Sequence, residues 1–210
     1  MIKVKICGVT NPQDALWAAN LGADYIGLNF YAQSPRKVSP KHAQEMASQI
    51  PPFITVVGIF VDEEITAIAK LVKTVPLKAV QLHGLESPED CQRVRELGVK
   101  VIKAFRLQKP LESADVESYA PFVDFYMFDR FSAEAAGGTG DVFDWDWVKG
   151  AAGLGKPWFL AGGLNPANVE KALKQTQAPA VDVCSGVERL PTRKDYEAMK
   201  NFIQTVKAIR

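Results

Sequence analysis

Apolar residues in this chain follow two rhythms that take turns from one end to the other. Short, nearly continuous apolar runs rich in β-branched residues read IKVKIC, ADYIGLNF, ITVVGIFV, AVQLHG, VKVIKAF, FVDFYMFD, PWFLAGG and APAVDVCS. Runs of this kind are what parallel strands become when helices cover them. The first unit shows the grammar of what lies between. IKVKICG is followed by Thr10-Asn11-Pro12-Gln13-Asp14 and then by an Ala- and Leu-bearing segment that stops at Leu21-Gly22. Thr10 or Asn11 can cap a helix there, Pro12 suits its first position, Asp14 complements the N-terminal dipole and Gly22 supplies a left-handed stop. The grammar returns as AVQLHG, Ser87-Pro88-Glu89-Asp90 and a stop at Leu97-Gly98, and a third helix is expected to end at Leu154-Gly155.

Strands alternating with helices at this spacing imply right-handed crossovers, and about eight units is the number that closes a barrel. The fold class expected is therefore α/β, a (β/α)8 barrel with a closed, parallel, eight-stranded sheet, and residues 1–210 form one domain. An open, doubly wound sheet is the rival. It would carry a Gly-rich first turn, and GVTNPQD is not one. In the first strand, period-two alternation points Ile2, Val4 and Ile6 toward the helices and Lys3, Lys5 and Cys7 into the barrel.

Composition narrows the function classes. The 210 residues sit near the lower end for such a barrel, and 47% hydrophobic with 23% charged residues allows a sizeable core. A net charge of +1 advertises neither nucleic acid nor an acidic membrane, so any anion-binding field must be local. No apolar run approaches the ~20 residues of a membrane span, and the strand-like start is no signal peptide. Cys7, Cys91 and Cys184 are scattered and odd in number, which argues against a disulfide framework or a zinc site and for the cytoplasm.

Two connections are long, FYAQSPRKVSP after strand two and RFSAEAAGGTGDV after strand six, and both fall on the C-terminal face where barrel sites sit. Near the C-terminus, FLAGGLNPANV and VDVCSGVE each run from a strand into a glycine turn, Gly162-Gly163 and Ser185-Gly186, with Asn165 expected to cap the helix after the first. By strand count these are the loops after strands seven and eight, where bare N–H groups and a helix N-terminus grip phosphate. A glycine in a tight turn needs no ligand; the matching positions in successive units favour phosphate.

Candidate chemical groups stand at strand ends. Cys7 lies at the mouth; a free cysteine there is either a small buried hydrophobe or a reactive group. Asp129 ends strand six in phase with Phe125 and Met127, where it either pins its own loop, for example against Arg130, or serves catalysis. Arg36, in Ser34-Pro35-Arg36, offers a planar fork for a carboxylate. His83, in phase with Gln81, reads as a hydrogen-bonding site residue, since no ligand cluster supports a metal. His42 and the charge runs Asp62-Glu63-Glu64 and Arg93–Glu96 read as solvated helix surface.

Together these segments resemble the phosphoribosylanthranilate isomerase family. The matches run in order along essentially the whole chain: KICG (Lys5–Gly8), SPR (Ser34–Arg36), VVGIFV (Val56–Val61), VQLHG (Val80–Gly84), Asp129, GGTG with FDW (Gly137–Trp145), LAGGLNPANV (Leu160–Val169) and VDVCSGVE (Val181–Glu188). The resemblance implies an Amadori rearrangement of N-(5'-phosphoribosyl)anthranilate without a cofactor, by a monomer or homodimer acting on a small phosphosugar. It makes Cys7 the general base and Asp129 the general acid, and gives Arg36 the anthranilate carboxylate and the two glycine loops the phosphate; His83, from its strand-end position, is expected to bind substrate. Protonating the ring oxygen suits a carboxylic acid, and removing the C2' proton beside the resulting iminium suits a thiolate. That pairing calls for Asp129 partly protonated by an apolar setting and Cys7 partly ionised, with Lys5 a candidate for lowering its pKa.

Three positions depart from the family's pattern. Arg130 follows Asp129 where a small residue is commoner, and Cys184 replaces a common serine, a change expected to touch the phosphate loop rather than the chemistry. Leu190-Pro191-Thr192 lacks a glycine often seen before the last helix. A histidine-pathway aldose–ketose isomerase of the same barrel type would instead show paired carboxylates at strands one and five. A non-catalytic phosphate-binding barrel would tolerate loss of Cys7 and Asp129.

Overall fold

The computed structural model describes residues 1–130 and 144–209. Eight parallel strands close on themselves in chain order: β1 (Lys3–Ile6), β2 (Tyr25–Asn29), β3 (Thr55–Phe60), β4 (Ala79–Leu82), β5 (Lys100–Leu107), β6 (Phe125–Arg130), β7 (Trp158–Leu160) and β8 (Ala180–Val183). The seam pairs Lys3 with Ala180 and Lys5 with Asp182. Among the described residues, six α-helices cover the outside: α1 (Pro12–Leu21), α2 (Pro40–Ala47), α3 (Ile65–Thr74), α4 (Pro88–Arg95), α5 (Val169–Thr176) and α6 (Tyr196–Ala208). The closed barrel replaces the doubly wound alternative.

The helix signals act as read. Asn11 caps α1 by accepting from the Asp14 N–H, and Gly22 stops it at φ 99. Ser87 and Asp90 close a reciprocal capping box on α4. Two readings need correction. The segment ending at Leu154 is a 310 helix, Trp145–Leu154, and β5 is followed by two short 310 turns, so the helical layer is thinner on this side. Asn165 does not cap α5. Its side chain accepts from the N–H groups of Ala167 and Asn168, folding a separate turn, and α5 starts at Val169. The connection of residues 131–143, with the whole GGTG motif and the first residue of FDW, lies outside the described residues.

Inward and outward faces of the strands divide the core. Val4, Ile6, Val56, Val80 and Val101 join the helix-facing layer. Val57, Ala79, Ile102, Ala104, Met127, Phe159, Ala161 and Ala180 fill the barrel, floored by Tyr25, Phe125 and Phe159 with centroids 5.2–6.2 Å apart. Above the rings lies a buried polar layer that includes Lys5, Gln81 and Asp182. Gly27 makes room for it, since a Cβ there would crowd the Lys5 ammonium and Ile59.

At the N-terminal face one device appears twice. Asp24, just before β2, accepts from the Val4 N–H and the Lys3 and Lys207 ammonium groups, and Asp124, before β6, accepts from the Val101 N–H and Lys100. Each carboxylate ties a strand start to its neighbour, and these cations hold both below the usual carboxylate range despite partial burial. Beyond β8, a hairpin of β9 (Glu188–Leu190) and β10 (Arg193–Lys194) turns through Leu190-Pro191-Thr192, with Thr192 at φ 71 where a glycine would be unstrained. It is fastened to the first loop: Thr10 donates to the Thr192 carbonyl and the Lys194 N–H donates to Asp14.

Glu86 joins the loops after β3 and β4. Its carboxylate accepts from the N–H groups of Asp62 and Gly84 and from the buried Lys103 ammonium at 2.8 Å. Glu86→Ala leaves Lys103 buried without a counter-charge. The expected cost is about 3–5 kcal/mol, read as a lowered urea midpoint, with a large part recovered in Lys103→Met/Glu86→Leu.

Candidate active site

Round the C-terminal rim, in strand order from β6 to β2, stand Asp129, the glycine pair after β7, Cys184 with Ser185-Gly186, Cys7, and Arg36. His83 approaches from the end of β4.

On the acid side, His83 Nε2 lies 3.1 Å from Asp129 Oδ2, and the Arg130 N–H donates to Oδ1 at 2.7 Å. Burial pushes the Asp129 carboxyl up, but the His83 ring, the Arg130 N–H and the Arg106 guanidinium outweigh it and hold the pKa below the usual carboxylate value. The expected apolar, partly protonated Asp129 is thus corrected to a carboxylate paired with a histidine. Behind the ring, Gln81 Nε2 sits 2.7 Å from His83 Nδ1, while the buried Gln81 Oε1 has no partner among the described residues. Turned end for end, the amide would accept from a protonated Nδ1, so Gln81 accommodates either ring state.

On the base side, β1 and β8 run in register, and the Cys7 N–H donates to the Val183 carbonyl. Cys7 and Cys184, one position beyond the paired Ile6 and Val183, therefore stand side by side across the seam. Lys5 is committed to Asp182 at 2.7 Å; burial pulls its pKa down, but Asp182 outweighs this and it stays charged. Lys5 does lower the Cys7 pKa, as expected, but the neighbouring Cys184 thiol, then burial and Asp182, outweigh it and push the Cys7 thiol well up. Cys184 is the one lowered, to about 7, by the Cys7 thiol and by Lys194 and Arg36 against its burial.

The loop after β2 folds through two tight turns that carry Arg36 across the top of Gly8. Its fork is engaged bidentately by Glu188, at 2.8 Å from Nε and 2.6 Å from Nη2. Glu188 also accepts from Lys194 Nζ at 3.1 Å. Between the acid and base sides, Gly162 and Gly163 adopt φ 85 and 76, and a Cβ on Gly162 would strike Arg130 and Asp129 Oδ1. Gly186 packs against the Leu164 carbonyl, pressing the two glycine loops into one cradle. Among the described residues, nothing accepts from the N–H groups of Gly163, Ser185 and Gly186. A groove of about 680 Å3 opens beside the rim over β3 to β5, lined in part by Tyr31, Asp62, Leu85 and Arg106, and Arg106 ties it to the His83 carbonyl. No three His, Cys, Asp or Glu side chains among the described residues converge as a metal would require.

The family model of N-(5'-phosphoribosyl)anthranilate (PRA) isomerase matches residues 4–205. The chain belongs to that family. An N-(5'-phosphoribosyl)anthranilate isomerase of Geobacter sp. (strain M21) is 44% identical over 209 residues, covering all of both chains. The crystal structure of the phosphoribosyl anthranilate isomerase from Thermotoga maritima superposes with a TM-score of 0.92 at 39% identity over the whole of both chains. A structure of such an isomerase in complex with reduced 1-(o-carboxyphenylamino)-1-deoxyribulose 5-phosphate gives 0.88 at 37%, again covering both chains fully.

Within this isomerase barrel, all the sequence-derived candidates reach the rim. Sequence reasoning passed over Asp182, Glu188 and Lys194, and gave Cys184 to the phosphate loop. Asp182 and Cys184 were within reach, because the alternation that turns Lys5 and Cys7 inward does the same in VDVCS. Glu188 and Lys194 arrive through the hairpin, which no periodicity announces.

The acid side makes a direct prediction. His83→Gln removes the group that most lowers the Asp129 pKa, so the Asp129 carboxyl should titrate at higher pH, read by carbon NMR of the labelled side chain. If the acid is Asp129 alone, its greater protonation keeps neutral-pH turnover. If the His83–Asp129 pair carries the proton, kcat falls by about 10²-fold, and that is the outcome expected.

Proposed function

We propose that this barrel catalyses the Amadori rearrangement of N-(5'-phosphoribosyl)anthranilate to 1-(2-carboxyphenylamino)-1-deoxyribulose 5-phosphate in tryptophan biosynthesis, by acid–base chemistry between Asp129 and Cys7. One observation carries the reading: the glycine cradle after β7 and β8 lies between an Asp–His pair on β6 and β4 and a thiol pair on β1 and β8. A phosphate on the Gly163, Ser185 and Gly186 N–H groups would hold the ribose with one face to each pair.

The chemistry follows in order. A proton from the His83 ring, 3.1 Å from Asp129 Oδ2, passes to that carboxylate and from it to the furanose ring oxygen, and the ring opens to a Schiff base; Gln81 tolerates both ring states. Ionised Cys7 then removes the C2' proton, which the adjacent iminium acidifies, and the enolamine tautomerises to the ketone. Every step is a proton transfer that these side chains can supply, so the mechanism calls on no cofactor. Arg36 takes the anthranilate carboxylate with the N–H groups that Glu188 leaves over, or by displacing Glu188. All these groups lie on one chain, and the active form is a monomer or a homodimer. No helix among the described residues is long and apolar enough to cross a membrane.

The rival aldose–ketose isomerase needs carboxylates at the ends of β1 and β5, and those ends hold Cys7 and Arg106-Leu107. A barrel that only binds phosphate has no use for the two titratable pairs.

Anthranilate fluorescence, followed on substrate generated in situ, tests the assignments. Cys7→Ser and Asp129→Asn should each lower kcat by at least about 10²-fold while affinity for a reduced product analogue stays near the parent value. Near-normal turnover in either variant removes that residue from its role. Arg36→Met should raise KM more than it lowers kcat, since a carboxylate remote from C2' is held alike in ground and transition states.

A further inference from the structure

Five charged groups face the two sulfurs at the mouth, and their signs do not cancel. Lys5 and Asp182 come from β1 and β8, Arg36 from the loop after β2, and Glu188 and Lys194 from the hairpin. Asp14, the next carboxylate along, is spent on the Lys194 backbone N–H and Asn11. Side-chain exposure is 0% for Lys5 and Lys194, 4% for Glu188 and 15% for Arg36. Three cations face two carboxylates in a setting where a lone charge is costly. One thiolate balances the cluster; two neutral thiols leave it positive, and two thiolates leave it negative.

Geometry decides which sulfur holds that charge. Lys194 Nζ lies 3.8 Å from Cys184 Sγ and 2.9 Å from the Cys184 carbonyl, while Cys184 Sγ also lies close under Gly8. Cys7, one strand across, faces Lys5, which it shares with Asp182, bonded to Lys5 at 2.7 Å. We propose, building on Cys7 as the general base, that Cys184 is a positioning residue which stores the thiolate for Cys7, the two sulfurs sharing one proton across the β1–β8 seam.

The step balances within the pair. In the resting state the Cys7 S–H donates to the Cys184 thiolate. The proton moves from Cys7 Sγ to Cys184 Sγ, leaving the electron pair and the negative charge on Cys7, which takes the C2' proton. With Cys7 alone, burial and Asp182 would oppose its ionisation at neutral pH. With Cys184 beside it, the pair gives up its first proton at about 7 and resists losing the second.

The test reads pH dependence rather than activity alone. In the parent protein, alkylation by iodoacetamide, located by mass spectrometry, should rise through neutral pH and stop at one label shared between Cys7 and Cys184. In Cys184→Ser, and equally in Cys184→Ala, the acidic limb of kcat/KM should move up by about one pH unit or more, lowering neutral-pH kcat/KM about tenfold or more. Activity should return toward the parent value at high pH. An unmoved limb, a loss equal at every pH, or independent alkylation of both sulfurs at neutral pH overturns the proposal. The alkylation arm stands even where a variant folds poorly. Cys7→Ser keeps the two readings apart: if it stays active, Cys7 is not the base. If it is inactive while Cys184→Ser keeps the parent profile, the base stands and the shared proton does not.

Discussion

Closing the barrel forces residues from opposite ends of the chain into one dry space, and the buried Lys5–Asp182 pair is what makes that closure tolerable. The partners are 177 positions apart, meet at 2.7 Å and sit in the polar layer above the aromatic floor. A buried pair of this kind adds little net stability over an apolar substitute, but it penalises every register in which the charges miss each other. Alternation then carries the seam one more step, to Cys7 opposite Cys184. The same register that neutralises the interior therefore brings two sulfur-bearing residues side by side at the mouth.

The two halves of the mouth depart from simple expectation for the same physical reason. Burial alone would raise both Asp129 and Cys184. At Asp129 the His83 ring, the Arg130 N–H and Arg106 outweigh burial, and at Cys184 the Cys7 thiol, Lys194 and Arg36 do. Each acid is drawn toward its ionised form by specific neighbours, and each has a partner on which a proton can rest. Neither side works as a single residue.

The sequence announced the barrel readily, since strand runs, caps and glycine stops are local signals and closure follows from counting them. It announced the strand-end residues too, because alternation locates Cys7, His83 and Asp129 without any tertiary information. Their protonation was not legible. Asp129 reads as isolated along the chain because His83 is 46 positions away, and the Arg36–Glu188 clamp spans 152. The weaker helical layer beside β5 and β6 was missed for a different reason. WDWVKGAAGL and ESADVESY carry apolar spacing that suits an α-helix as well as a 310 turn, and tertiary packing chose between them.

A site built from charge-balanced pairs responds to its own ligand. On the proposed reading, the substrate brings a carboxylate toward Arg36 and a phosphate toward the loops beside Cys184. Negative charge arriving there competes with Glu188 for Arg36 and raises the proton affinity of the nearby sulfur pair. The shared thiolate thus becomes a stronger base when the C2' proton is within reach, and a weaker, better-compensated one when the site is open. The Gln81–His83–Asp129 chain answers in the same sense on the other side, because an anion near Asp129 favours a proton returning from His83. The field that binds the substrate therefore also readies acid and base together, which a lone carboxyl in an apolar pocket and a lone thiolate beside a free lysine would not do.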